Sequence, residues 1–277
     1  MSGERTLIGL VRASHLQPTL AVTGIATALA LSVGRGAGSL SVAMAALAGQ
    51  LSVGWSNDYL DRHRDRIAGR SDKPIPSGAV PAAVVGWSAV AAAVVCVPLS
   101  LLSGWRAGMV HLAAVALAWL YNAWLKGTAA SVVPFALAFG ALPAFVSLGL
   151  EGHPLPPAWA VVAAALLGAG AHFVNTLPDL EDDERTGVRG LPHRLGPLVS
   201  LLVGATLLAS ATLVLALAPA ASTSGVGTVV TVASLAAVGG VVVSALTDRP
   251  RLAWSCALGA AALSVAALLL RGGALAP

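Results

Sequence analysis

The chain has 277 residues, 57% of them hydrophobic and only 10% charged, with a mean hydropathy of +0.83. A soluble domain carries about 25% charged residues, so this composition excludes an ordinary water-soluble enzyme, a disordered chain and a nucleic-acid binder. The net charge of +4 then reads as a topology signal rather than a polyanion-binding surface.

A helix needs about 20 apolar residues to cross the hydrocarbon core of a membrane. Nine segments are predicted to do so, at about 16–33, 39–55, 81–102, 108–124, 129–150, 157–174, 197–217, 225–246 and 252–270. Pro98, Pro134 and Pro143 fall inside them, which membrane helices tolerate when neighbours satisfy the freed backbone groups. The first segment follows Arg5 and Arg12 and has the look of a signal peptide, but eight further spans favour a retained helix. Cys96 and Cys256 both sit in apolar runs and imply neither a disulfide nor a metal site. The expected architecture is an all-α integral membrane bundle, one transmembrane domain over residues 1–277.

Charge sorts by side. With the N-terminus in the cytoplasm, the inner loops hold Arg5, Arg12, Arg62, Arg64, Arg66, Arg70, Lys73, Lys126, Arg185, Arg189, Arg194, Arg249 and Arg251. The outer side holds only Arg35, Arg106 and Arg271. That bias follows the positive-inside rule and, with nine spans, places the C-terminus outside, as expected for a bacterial plasma-membrane protein.

The acids are more concentrated still. Of the 12 acids, only Glu4, Glu151 and Asp248 lie outside two short segments, both on the predicted cytoplasmic side. Asp58, Asp61, Asp65 and Asp72 fall in one, at about 56–80. Asp179, Glu181, Asp182, Asp183 and Glu184 fall in the other, at about 175–196. If the second predicted helix continues past Trp55, Asn57, Asp61 and Asp65 lie at i, i+4 and i+8, within about 80° of one another, with Asp58 on the edge of that sector. Asp179 and Asp183 repeat the i, i+4 spacing, and Pro178 fits the first turn of a new helix or a kink in an old one. Oxygen ligands clustered this way suit Mg²⁺, which bridges carboxylates to substrate phosphates. The competing reading is two solvated loops whose acids balance nearby bases. That reading does not account for helical phasing in both clusters or for the scarcity of acids elsewhere.

Asn57-Asp58-x-x-Asp61-x-x-x-Asp65 resembles the first aspartate-rich motif of the UbiA superfamily of intramembrane prenyltransferases, and Asp179-x-x-x-Asp183 resembles its second. The stretches Arg70-Ser-Asp-Lys73-Pro-Ile-Pro-Ser-Gly78 and Thr186-Gly-Val-Arg189-Gly-Leu-Pro192 resemble the segments that trail those motifs. The resemblance covers most of the chain. It implies a nine-helix bundle around a central cavity, with an isoprenyl diphosphate and Mg²⁺ bound at the cytoplasmic end. On this resemblance Asn57, Asp61, Asp65, Asp179 and Asp183 hold Mg²⁺ with Asp58 assisting. Arg70, Lys73, Lys126 and Arg185 contact the diphosphate, and Asp61, Asp65, Asp179, Asp183 and Lys126 form the catalytic set. Each base also has a plain reading as a topology determinant or lipid-headgroup contact.

The resemblance implies ionisation of the prenyl diphosphate and transfer to a hydrophobic or aromatic acceptor, or a lipid. A terpene cyclase on the same scaffold would need no acceptor, and the ionisation motifs do not separate the two. A transporter is the remote alternative, but apart from His111 and His172 the spans are almost free of ionisable groups. Both histidines read as hydrogen-bonding members of a bundle. His15, Gln17 and Pro18 either line the substrate mouth or cap the first helix. Asn122 and Asn175 are either caps or cavity-lining groups.

Overall fold

The computed structural model describes residues 2–218, 225–247 and 249–275, so Asp248 lies outside the described residues. Among these, the regular structure is helical, with no strand. The helices are α1 (Ser2–Ala13), α2 (Leu16–Ser32), α3 (Gly38–Ile67), α4 (Ala82–Leu101), α5 (Trp105–Ala123), α6 (Val132–Ser147), α7 (Ala158–Thr176), α8 (Leu180–Arg185), α9 (Leu191–Leu195), α10 (Pro197–Leu217), α11 (Gly225–Leu246) and α12 (Pro250–Leu270).

Each of the nine predicted spans coincides with one helix among α2–α7 and α10–α12. Prolines mark several starts: Pro81 and Pro157 stand in extended backbone immediately before α4 and α7. There the missing N–H costs no helical hydrogen bond. Five helices (α4, α10, α11, α12, and α7 taken together with α8) are long and apolar enough to cross a membrane; α2 and α6 are apolar but shorter. In α3 and α5 the apolar run is diluted by polar residues, of which Ser52, His111 and Asn122 are buried.

Chain neighbours pack on one another, α3 on α4, α6 on α7, α7 on α10 and α11 on α12, and α12 returns to α2. The core is built largely from alanine, as in Ala253, Ala257 and Ala260 of α12, all fully buried. Small residues let membrane helices approach closely where no hydrophobic drive distinguishes protein from lipid. Where α10, α11 and α12 meet, Thr212, Ser234 and Ser264 hydrogen-bond mutually at 2.8–3.1 Å. Large apolar residues such as Trp87, Val94 and Leu217 point outward, as a lipid-facing surface requires.

Two departures from the expected outline position the site. First, α3 does not stop near Trp55 but runs to Ile67. At about 1.5 Å per residue its 30 residues span about 45 Å, well beyond a core of about 30 Å. Second, α1 precedes the first predicted span as a separate helix, joined to α2 through His15 at a left-handed φ of 52°. It seats against the segment that follows α3. Gly9 lies directly on Ala79 and Val80, the Trp55 indole donates to the Leu10 carbonyl at 2.9 Å, and Arg12 donates to the Asp72 carbonyl.

Candidate active site

The overhanging end of α3 keeps its helical hydrogen bonding, so Asn57, Asp61 and Asp65 share a face as their spacing predicts. That face borders a cavity of about 210 Å³. On the other side the chain leaves α7 through a 3₁₀ turn, Leu177–Asp179, and turns into α8. Pro178 therefore starts a new short element. Asp179 and Asp183 line the same cavity, as do Arg70, Lys73 and Lys126. Of the predicted site residues, only Asp58 and Arg185 lie outside its lining. Asp58 is turned to His15 and Lys73, and Arg185 is exposed and pairs with Asp182 one turn back.

Asp61 is the most heavily neutralised carboxylate. Lys126, carried on the 3₁₀ turn Leu125–Gly127 after α5, bonds both its oxygens, and Arg64 pairs with it from the next turn of α3. Only 10% of the Lys126 side chain is exposed. Burial pushes its ammonium below the ordinary lysine range, and the Asp61 charge opposes that shift.

Asp65 is the opposite case. One of its oxygens is buried with no hydrogen-bond partner. Burial pushes this carboxyl above its ordinary range, and the charges of Asp61 and Asp58 reinforce the shift against Lys73 and Arg70. Desolvation and like charge thus outweigh the nearby cations at this carboxyl. Asn57 is fixed by Asn122, whose own amide is anchored on Val53 and Ser56.

The second segment is more open. The Asp179 side chain is 54% exposed and lies 3.8 Å from Arg70, which forks onto Asp72 at 3.0 and 3.1 Å. Asp183 meets the buried His193 of α9 at 3.3 Å. Its main-chain carbonyl accepts from Thr186 and from the Val188 amide, which curls the chain back toward the first half. At Gly190 the two halves touch: there is no room for a Cβ between its backbone, the Lys126 carbonyl and the Ser131 hydroxyl. Ser131 accepts from the Leu191 amide and hydrogen-bonds His172 at 3.0 Å.

The cavity thus has an ionic end and an aromatic end. Tyr121, Phe135 and His172 line the latter, with ring centroids 4.8–5.8 Å apart. Among the described residues no three His, Cys, Asp or Glu side chains form a ready-made metal cage. Mg²⁺ does not require one, since it takes one or two carboxylates and completes its shell with water and substrate phosphate. The unpartnered oxygen of Asp65 and the all-oxygen acidic set fit that ion.

A sequence model of the UbiA prenyltransferase family matches residues 16–265. The chain belongs to this family. With its long apolar helices, it is an integral membrane protein. Among the relatives, the bacteriochlorophyll synthase 33 kDa chain of Cereibacter sphaeroides is 35% identical over 185 residues, 60% of this chain and 58% of that one. A digeranylgeranylglyceryl phosphate synthase of Pyrococcus horikoshii is 30% identical over 142 residues, half of each chain. The matches thus span less than two thirds of these relatives' lengths. The structure of a UbiA homologue from Archaeoglobus fulgidus bound to DMAPP and Mg²⁺ superposes with a TM-score of 0.67 at 17% identity, covering 94% of this chain and 98% of that one. The same homologue is also known with GPP and Mg²⁺. These likenesses establish the UbiA fold.

Sequence reading missed four contributors to the site: Arg64, Phe135, Tyr121 and His193. Arg64 had a signal, being one turn beyond Asp61. His193 directly follows the Thr186–Pro192 stretch, but its contact with Asp183 depends on the turn at α9. Asn122 proves to be neither a cap nor a cavity wall but the bracket for Asn57. His15 does line the cavity.

Proposed function

We propose that this chain is a Mg²⁺-dependent intramembrane prenyltransferase that ionises an isoprenyl diphosphate and transfers the prenyl group to a hydrophobic or aromatic acceptor. The observation that carries this reading is one cavity that joins both acidic segments and four bases, Arg64, Arg70, Lys73 and Lys126, to an aromatic wall. On this reading residues 1–277 form one domain with nine crossings, in a bacterial plasma membrane, with the N-terminus cytoplasmic and the C-terminus outside. The site then opens at the cytoplasmic face.

The residues divide the work. Asp61, Asp65, Asp179 and Asp183, with Asn57, would hold Mg²⁺, which when bound supplies Lewis-acid stabilisation of the departing diphosphate. Lys73, Lys126 and Arg70 offer N–H donors to its oxygens, placed where negative charge develops as the C–O bond breaks. Tyr121 and Phe135, on the aromatic wall of the cavity, would offer electron-rich rings that stabilise positive charge developing on the prenyl group. The apolar bundle keeps water from that centre. The two relatives are named for a bacteriochlorophyll and a digeranylgeranylglyceryl phosphate, so the acceptor is a matter for a product screen.

The test uses purified protein in lipid nanodiscs with prenyl diphosphates of increasing length. Pyrophosphate release is expected with Mg²⁺ and not with EDTA. Activity that survives in both Asp61→Ala and Asp183→Ala would overturn the site. Without an acceptor the prenyl cation is captured by water as prenyl alcohol; adding lipid extract should divert it to a prenylated acceptor. A cyclic hydrocarbon formed without any acceptor would instead establish a cyclase.

A further inference from the structure

Asp58 belongs to the acidic motif by sequence, yet it lies outside the cavity lining. Its side chain is 2% exposed. One of its oxygens accepts from His15 at 2.8 Å and from Lys73 at 2.7 Å. A metal ion at that oxygen would have to displace two donors, one of them a cation.

The geometry around Lys73 gives this pair another purpose. Lys73 sits in the segment that returns from α3, in a turn closed by its amide on the Arg70 carbonyl. Its ammonium has three N–H groups, and one is spent on Asp58. The same nitrogen lies 3.4 Å from the His15 Nε2, whose proton goes to Asp58, so N–H groups of Lys73 remain on a side chain that lines the cavity. A lysine is a flexible point charge with large rotamer entropy, so a loop lysine on its own is poorly aimed. Asp58, rigid on α3, fixes the head of this one. His15 completes the clamp from the α1–α2 junction, whose left-handed φ of 52° turns the imidazole toward α3.

We infer that Asp58 is a positioning residue rather than a metal ligand: with His15 it holds the Lys73 ammonium in place for the diphosphate. This rests on the prenyl diphosphate reading above. The same arrangement explains why the acid next to Asn57 faces away from the row made by Asp61 and Asp65. It serves the anion of the substrate, and they serve the cation.

The experiment measures pyrophosphate binding in the presence of Mg²⁺, by calorimetry on protein in detergent, alongside steady-state kinetics. Asp58→Asn should weaken pyrophosphate binding and raise KM for the prenyl diphosphate by about 10–100-fold, the usual cost of losing an orienting partner. The Mg²⁺ concentration for half-maximal rate, at saturating prenyl diphosphate, should stay at the wild-type value. Asp61→Asn should shift that concentration upward. In a Lys73→Ala background, Asp58→Asn should cost less than about twofold more, because the two act as one unit.

A shift in the Mg²⁺ requirement of Asp58→Asn matching that of Asp61→Asn would overturn the inference, as would losses that simply add. His15→Gln, which keeps a donor near Asp58, should fall between wild type and Asp58→Asn in KM and serves if Asp58→Asn does not fold. A His15→Gln protein of unchanged pyrophosphate affinity would count against the clamp. Wild-type protein that binds pyrophosphate but turns over no prenyl diphosphate overturns the prenyltransferase reading alone. Unchanged pyrophosphate affinity in Asp58→Asn overturns this inference alone.

Discussion

The two acidic segments look alike in sequence and are built differently. The first rides on an unbroken helix, and most of its carboxylates already have cations: Lys126 and Arg64 on Asp61, Lys73 on Asp58. The second sits on a 3₁₀ turn and the short helix α8, with a distant arginine and a histidine as its partners. Asp179 and Asp183 are 54% and 38% exposed, against 17% for Asp61. The first segment is a preset electrostatic frame and the second is an adjustable jaw. Preorganised charges act at full strength because they need no rearrangement during reaction. An entering substrate with its ion needs one side able to yield.

The sharpest way to break this comparison is to remove the frame. Asp61→Asn strands two buried or half-buried cations, whereas Asp183→Asn releases one histidine. Pyrophosphate release should fall by a much larger factor in the first than in the second, both remaining measurable; equal losses would show the asymmetry to be irrelevant. Lys126→Met comes next. It removes one donor from the ionic end, with a loss in kcat of about 10²–10³-fold, typical of a lost transition-state donor. His193→Ala should be milder, about 10–100-fold, and should appear mainly in the Mg²⁺ requirement, since this histidine orients Asp183.

The smallest effect concerns stability. Burial raises the Asp65 carboxyl, so the folded protein keeps that proton to a higher pH than the unfolded chain does. The group's contribution is then full below its ordinary value of 3.8 and is lost as pH rises through the folded value. Asp65→Asn should therefore raise the Tm of protein in EDTA at neutral pH by on the order of 1–3 °C. It should also flatten the pH dependence of Tm and remove stabilisation by Mg²⁺. A lower Tm in EDTA would mean that the carboxylate already has a partner.

The helices were legible because a membrane span announces itself by length and apolarity. The phasing of Asn57, Asp61 and Asp65 was legible because one helix fixes it. The 12-residue α1 was not, since it is too short and too polar for a span, and its seat on Ala79 and Val80 is a tertiary contact. Asp58 is the instructive case. The helical wheel places it at the edge of the acidic sector. Which side of that edge it serves depends on how residues 68–81 fold back, and no local period records that. The pairing of Lys126 with Asp61 bridges 65 positions, and the aromatic wall draws on α5, α6 and α7. Such groupings exist only once the bundle has closed.

The contact at Gly190 sets a dimension. A flexible side chain between the two halves would let the jaw close to different extents on different substrates. Here backbone meets backbone, with no methyl group's width to spare. The gap between the acidic rows is therefore gauged by the least compressible part of the chain, at the root of the lysine that holds Asp61. The width of the ionic end of the cavity is in that sense a property of the main chain.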